Sequence, residues 1–134
     1  MKTIISPLGF ETSPIVSFIA KDGIGKEDKI IILRPKESPE ETRGNNAFSE
    51  TKKLLDNISG DIQIQKVILD TKDFSEMILE ISNVVKDIEG ELAVNLSGGA
   101  RSLLVALTTV TIFHHDKIAR IYNHDIVENS MKEI

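Results

Sequence analysis

The stretch from Leu92 to Phe113 constrains the fold more than any other part of the sequence. It reads LAVNLSGGARSLLVALTTVTIF, which is an apolar run, a short turn with two adjacent glycines, and a second, longer apolar run. The pattern predicts a buried strand over Glu91 to Leu96, a tight turn over Ser97 to Gly99, and a buried helix from Ala100 to about His115. A strand that leads directly into a helix is the repeating unit of α/β folds.

The glycine turn offers anion-binding chemistry. A helix begins with unpaired main-chain N–H groups and a partial positive charge, and both stabilise anionic oxygen. Gly98 and Gly99 have no Cβ atoms, so a ligand can approach the main chain closely. Ser97, Arg101 and Ser102 add two hydroxyls and a guanidinium, which suit phosphate and ribose oxygens. A purely structural alternative is that the glycines permit a sharp turn and Ser97 caps the helix.

The rest of the chain repeats strand and helix. Further strands are predicted at Lys2 to Ser6, Lys29 to Leu33, Ile62 to Leu69 and Lys117 to Tyr122. Further helices are predicted at Pro14 to Asp22 with Ser13 as the cap, at Asn46 to Ser59, and at Phe74 to Ile88. These helices are long enough for right-handed crossovers. We therefore predict an α/β, Rossmann-like, doubly wound, five-stranded parallel sheet in the order 3-2-1-4-5, forming a single domain.

This strand order predicts a crevice at the carboxyl ends of the first and fourth strands, whose helices lie on opposite faces of the sheet. Three segments with unusual chemistry meet there: the loop Pro7 to Ser13, the pair Arg34 and Pro35, and the turn Ser97 to Ser102. Their convergence is stronger evidence for a binding site than any one motif.

Several side chains near the crevice allow two interpretations. Phe10 can stack on a base or pack back on the sheet, and Glu11 can orient a hydroxyl or remain solvated. Arg101 is disfavoured by the helix dipole in a first turn, which favours an anionic partner. The polar segment from Lys36 to Asn45 is a candidate for closing over a ligand. The apolar helix from Leu103 to Phe113 is either well covered within one chain or the face of a homodimer.

Composition limits the possible partners. The net charge of −5 argues against a broad nucleic-acid-binding surface, so a nucleotide partner must be compact and held by a local pocket. The absence of cysteine removes disulfides and thiolate chemistry. No signal peptide or membrane-spanning run is evident, so we expect a cytoplasmic location and no membrane partner. No metal site is expected from the histidines, His114, His115 and His124, and there is no phosphate-loop motif.

The segments KTIISPLGFETSPIVSFI, KIIILRPK and VNLSGGARSLLVALTTVTIF together resemble the CRISPR-associated Rossmann fold (CARF) domain. The resemblance is greatest to the amino-terminal sensor domain of archaeal CRISPR-associated winged helix-turn-helix transcriptional regulators. It implies a homodimer whose two crevices jointly hold one cyclic oligoadenylate, most often cyclic tetra-adenylate, without a cofactor. The ligand-binding residues that it implies are Gly9, Phe10, Thr12, Ser13, Arg34, Pro35, Ser97, Gly98, Gly99, Arg101 and Ser102.

Three functions remain open. The first is a dimeric sensor of cyclic oligoadenylate in CRISPR antiviral signalling. The second is a metal-independent ring nuclease, in which the ribose 2′-hydroxyl attacks and linear products with 2′,3′-cyclic phosphate form; Ser13, Arg101 and Lys36 are its candidate catalytic residues. The third is a doubly wound domain that binds another phosphorylated metabolite. We assign residues 1–122 to the ligand-binding domain and 123–134 to a tail or the start of a linker. No DNA-binding module is evident, although a longer parent protein could carry one.

Overall fold

Strands and helices alternate along the chain. The computed structural model describes residues 1–36, 42–125 and 130–134. The strands are β1 (Lys2–Pro7), β2 (Lys29–Pro35), β3 (Gln63–Leu69), β4 (Glu91–Asn95), β5 (Arg120–Asp125) and β6 (Ser130–Glu133). The helices are α1 (Ser13–Asp22), α2 (Arg43–Ile58), α3 (Phe74–Asp87) and α4 (Arg101–Phe113), and a short 3₁₀ helix covers His115–Lys117.

The sheet has the strand order β3-β2-β1-β4-β5-β6. The first five strands in this order are parallel, and β6 pairs antiparallel with β5. The predicted order 3-2-1-4-5 is therefore confirmed, and the structure adds one strand to it. This strand lies in the segment assigned from sequence to a tail or linker. An antiparallel neighbour needs no crossover helix, so a segment this short is long enough to supply it.

Each face of the sheet is covered by two helices. Ile4 and Ile5 of β1 are fully buried and belong to two different apolar clusters. The cluster that contains Ile4 is closed by α1 and α2, and the cluster that contains Ile5 is closed by α3 and α4. Met77 of α3 lies in the second cluster. This doubly wound arrangement turns the starts of α1 and α4 to the same edge of the sheet.

The predicted cap of α1 is wrong, and so is the cap of α4 in the purely structural alternative for the glycine turn. Ser13 is the first residue of α1, Thr12 occupies the cap position, and no side chain caps this helix. Ala100 rather than Ser97 precedes α4, and that helix also lacks a side-chain cap. Ser97 cannot cap α4 because two glycines and Ala100 separate it from the first turn.

Several element boundaries also differ from the prediction, and two elements begin three residues away from their predicted starts. Helix α2 begins at Arg43 instead of Asn46, so part of the predicted polar loop is helical. Strand β5 begins at Arg120 instead of Lys117, because the 3₁₀ turn over His115–Lys117 takes up the chain after α4. Helix starts and strand starts depend on packing as well as on local sequence, which is why the apolar pattern locates them only approximately.

A buried ion-pair network lies at the opposite edge of the sheet from the starts of the helices. Asp22, at the end of α1, accepts hydrogen bonds from Arg120 Nε at 2.5 Å and from the Tyr122 hydroxyl at 2.8 Å, and it pairs with Lys2 Nζ at 2.8 Å. Burial alone raises the pKa of Asp22, but the bonds from Arg120, Lys2 and Tyr122 outweigh it and lower the pKa to about 2. Burial and the Asp22 carboxylate raise the pKa of Tyr122 to about 12.

Candidate ligand-binding site

A pocket of about 370 Å³ opens at the carboxyl ends of β1 and β4. Its wall brings together the loop after β1, the end of β2 and the turn between β4 and α4, which are the three segments that the sequence places at one crevice. The lining residues are Gly9, Phe10, Glu11, Pro14, Pro35, Gly98, Gly99 and Ala100.

Glycines build one wall of the pocket from main chain. Gly98 and Gly99 are consecutive residues with positive φ angles of 81° and 79°, a backbone that other residues adopt only with strain. Gly9 lies directly against this turn, because a Cβ atom on Gly9 would be 3.3 Å from both Cα and N of Gly99. The two loops therefore meet main chain to main chain, and their peptide groups border the pocket.

The two helices that begin next to the pocket have no acidic residue in their first turns. Helices α1 and α4 have no acidic residue in the first turn and no side-chain cap. Helix α3, which follows the outer strand β3, has both: Asp73 accepts a hydrogen bond from the Glu76 N–H at 3.1 Å, and Glu76 lies in the first turn. The main-chain N–H groups beside the pocket are thus free of competing carboxylates from their own helices, which favours an anionic ligand there.

Two buried polar side chains form the floor below the glycine turn. Asn95 Nδ2 donates to Ser6 Oγ at 3.0 Å and lies 3.5 Å from the carbonyl oxygen of Pro14. Ser6 and Asn95 are both fully buried. This contact joins the ends of β1 and β4 to the start of α1, and it was missed by the sequence analysis. The signal was present, because Ser6 and Asn95 are single polar residues that follow the apolar runs of these two strands.

Phe10 is not packed back on the sheet. It is 49% exposed, and the guanidinium carbon of Arg43 lies 4.1 Å from its ring centroid. Sequence reasoning missed Arg43 because it placed this residue within a polar loop, whereas it is the first residue of α2. A cation in the segment that follows β2 was the available signal, since this segment begins at the predicted crevice.

Arg34 is buried instead of facing the pocket. It is 1% exposed, and its Nη1 donates to Asn45 Oδ1 at 3.1 Å. Its neighbour Pro35 does line the pocket. In this structure Arg34 therefore holds the start of α2 against the end of β2.

Ser97 also points away from the pocket. It is 6% exposed, and its hydroxyl donates to Asn123 Oδ1 at 3.5 Å and approaches the Met131 sulfur at 4.0 Å. These partners belong to β5 and β6, so the hydroxyl faces the antiparallel edge of the sheet. This orientation depends on β6, which the sequence analysis did not predict.

The structure brings five of the eleven predicted ligand-binding residues to the pocket wall, namely Gly9, Phe10, Pro35, Gly98 and Gly99. The other six predicted residues do not line the pocket. Thr12 and Ser102 are partly exposed, and Ser13, Arg101 and Lys36 are exposed. Their binding and catalytic roles stay predictions. Half of the predicted closing segment, residues 37–41, lies outside the described residues.

Two other kinds of feature are missing from the part of the chain that the structure describes. No group of three or more histidine, aspartate or glutamate side chains is placed to hold a metal ion. His114 Nε2 instead lies 2.7 Å from Ser82 Oγ, and the side chain of His124 is outside the described residues. Within residues 1–36, 42–125 and 130–134, none of the helices has the length and apolar character needed to cross a membrane.

The parallel order of β1 to β5, with a pocket at the carboxyl ends of β1 and β4, defines a Rossmann-like doubly wound domain. Residues 2–131 match the family described as the Csa3 CRISPR-associated Rossmann-like domain. The chain belongs to this family, which confirms the resemblance noted in the sequence. No curated protein matches the chain significantly.

Solved structures share the fold at low sequence identity. Can2 from Sulfobacillus thermosulfidooxidans in complex with cyclic tetra-adenylate has a TM-score of 0.71 and 11% identity, over 98% of this chain and 36% of that one. Enterococcus italicus Csm6 bound to cyclic hexa-2′-fluoro-hexa-dAMP has a TM-score of 0.72 and 16% identity, over 97% of this chain and 34% of that one. Protein VC1899 from Vibrio cholerae has a TM-score of 0.74 and 13% identity, over 99% of this chain and 33% of that one. The chain thus spans about a third of the length of these proteins.

Proposed function

We propose that this chain is a sensor domain that binds a cyclic oligoadenylate, with cyclic tetra-adenylate as the first choice, in the pocket at the ends of β1 and β4. The observation that carries the proposal is the wall of main chain around Gly9, Gly98 and Gly99, beside two helix starts without acids. In a chain of net charge −5, main-chain N–H groups supply attraction for phosphate without a basic surface.

The nature of the ligand is supported by membership of a CRISPR-associated family and by two of the proteins that share the fold. Can2 was solved with cyclic tetra-adenylate and Csm6 with a cyclic hexanucleotide analogue. A small ring of phosphates concentrates negative charge in a compact ligand. Such a ligand needs a few donors at fixed positions, which is the kind of site that the glycine turn and the helix starts provide.

We further propose that two copies of the chain pair along α4 and hold one ring between them. Val105 and Ile112 of α4 are 49% and 67% exposed, and Phe113 is 76% exposed. Val105 and Ile112 lie on the same helix face as Arg101, because these positions are separated by four and seven residues. Since α4 begins at the pocket, pairing along this face would bring the two pockets close to one axis.

Titration calorimetry and light scattering test the binding proposal. We expect one cyclic tetra-adenylate bound per two chains, and much weaker binding of the linear tetra-adenylate. Gly99→Arg fills the turn and Arg101→Ala removes the cation at the start of α4, so both variants should bind the ring far more weakly. Equal wild-type affinity for the linear and the cyclic compound would reject recognition of a ring.

Ring cleavage is the second candidate function. Ser13 and Arg101 are exposed and are the first residues of α1 and α4, the two helices that begin at the pocket. From there a hydroxyl and a guanidinium can position a ribose 2′-hydroxyl in line with the phosphorus and stabilise the developing charge. The bond from the 2′-oxygen to phosphorus forms as the bond from phosphorus to the 5′-oxygen breaks, and the 5′-oxygen leaves as a hydroxyl after taking up a proton. Prolonged incubation of the ring with excess protein, without added metal, should then yield linear products with 2′,3′-cyclic phosphate. Recovery of intact ring by chromatography would exclude this activity.

A further inference from the structure

We propose that Arg43 is a ligand-binding residue of the pocket, and that Arg43 and Phe10 form a platform on which one base of the ring stacks. This inference rests on the proposed function, because it names the group that recognises the base at the same site. Nothing in the sequence pattern assigned a role to Arg43. The role is inferred from the contact between its guanidinium and an aromatic ring of the pocket wall.

The first step of the argument is the geometry of the pair. Phe10 lines the pocket and is 49% exposed, so part of its surface remains available to a ligand. The guanidinium carbon of Arg43 lies over the ring, 4.1 Å from the centroid. Arg43 does not itself line the pocket, but this contact joins the start of α2 to the aromatic residue of the pocket wall.

The second step is the way in which the start of α2 is held. Asn45, two residues after Arg43, accepts a hydrogen bond from the buried side chain of Arg34 at 3.1 Å. Gly44, between them, is itself buried. The main chain that carries Arg43 is therefore fixed to the end of β2. Arg34 acts as a positioning residue for Arg43, which gives this predicted ligand-binding residue an indirect role in the site.

The third step is the composition of the pocket wall. Gly9, Gly98 and Gly99 can offer only main chain, whereas Phe10, Pro14 and Pro35 offer apolar rings. Main-chain N–H groups suit phosphate, and flat apolar surfaces suit the face of a base. The guanidinium of Arg43 lies over one of these apolar rings, so its neighbour in a bound ligand is a base.

The fourth step is the chemistry of the guanidinium. Its planar, weakly hydrated group stacks on aromatic faces, and bases stack both on aromatic rings and on arginine planes. Lysine carries the same charge but has no plane. Removing one such stacking surface typically weakens binding of a nucleotide by about tenfold. A phosphate contact, in contrast, is largely retained by lysine, which acts as a point charge.

The experiment compares Arg43→Gln and Arg43→Lys with the wild type, using cyclic tetra-adenylate and cyclic tetra-uridylate as probes. We expect both variants to lose about tenfold in affinity for the adenylate ring, since both lack the plane, and to lose less for the uridylate ring because pyrimidines stack more weakly. The matched control is Lys66→Gln, which removes a cation 4.7 Å from the ring of Phe48, away from the pocket. It should leave both affinities unchanged.

A double-mutant cycle adds a second test. If Phe10 and Arg43 act as one platform, the double variant Phe10→Leu with Arg43→Gln should lose less binding free energy than the two single variants lose in sum. Wild-type affinity for the adenylate ring in Arg43→Gln, or full rescue by Arg43→Lys, overturns the platform while the proposed function stands. If the wild-type protein binds neither the adenylate ring nor the uridylate ring, the proposed function itself is overturned.

Discussion

Gly99 lies against Pro7 so closely that a Cβ atom on Gly99 would be 2.8 Å from the Cβ atom of Pro7. Pro7 ends β1, and Gly99 is two residues before α4. The approach of these two loops, which sets the shape of the pocket, therefore requires a residue without a side chain at position 99. The positive φ of Gly99 adds the same requirement through the backbone.

We predict that Gly99→Ala destabilises the domain by about 1–3 kcal/mol, because the new methyl group would contact Pro7 and the backbone would be strained. Urea unfolding followed by circular dichroism measures the free energy. Gly60→Ala is the matched control, since no atom lies within 4 Å of a Cβ at that position. Equal stability of the two variants would contradict the close contact between the loops.

Asp22 should make the stability of the domain depend on acid pH. Its pKa in the folded protein is about 2, below the ordinary 3.8, so the folded state binds fewer protons than the unfolded state across this interval. The stabilisation is fully present above about pH 4 and is lost as the pH falls towards 2; it amounts to about 2 kcal/mol.

The difference in unfolding free energy between the wild type and Asp22→Asn isolates this contribution, because the other carboxyl groups titrate in both proteins. We expect the difference to shrink as the pH falls from 4 to 2. A difference that stays constant over this range would show that Asp22 is not held as a carboxylate by Arg120, Lys2 and Tyr122.

The apolar face of α4 gives a prediction about association. Ile112→Glu places a charge on a side chain that is 67% exposed, so it should leave the monomer fold intact and convert the proposed dimer into a monomer. Analytical ultracentrifugation measures the change. Ile58→Glu, on α2 at the other face of the sheet and 49% exposed, is the matched control. Unchanged sedimentation of Ile112→Glu would exclude α4 as the dimer face.

Glu11 is the acidic side chain in the pocket wall. We predict that Glu11→Gln binds cyclic tetra-adenylate a few-fold more tightly at low salt, because a negative charge near the phosphates is removed. The gain should diminish as salt is added, since salt screens exposed charges. Weaker binding of Glu11→Gln would instead support the alternative in which the carboxylate orients a ribose hydroxyl.

The positions of the elements and of the pocket follow largely from local sequence. Apolar runs with β-branched residues locate the strands along the chain, and segments with helical periodicity between them locate the helices. The pair Gly98 and Gly99 marks the turn. These signals are reliable because strand and helix periods and the freedom of glycine are properties of a few neighbouring residues. The crevice then follows from topology, since the carboxyl ends of parallel strands meet at one edge.

Side-chain direction was decided by the tertiary structure. Ser97 turns towards β5 and β6, Arg34 is buried against Asn45, and Arg43 reaches Phe10 from the start of α2. Each of these contacts joins segments that are distant in sequence or that adopt a structure different from the local prediction. The sequence by itself determined which strands and turns form the site. Only the packed fold decided which polar groups lie at the pocket and which are buried away from it, because that choice depends on long-range neighbours that no local pattern records.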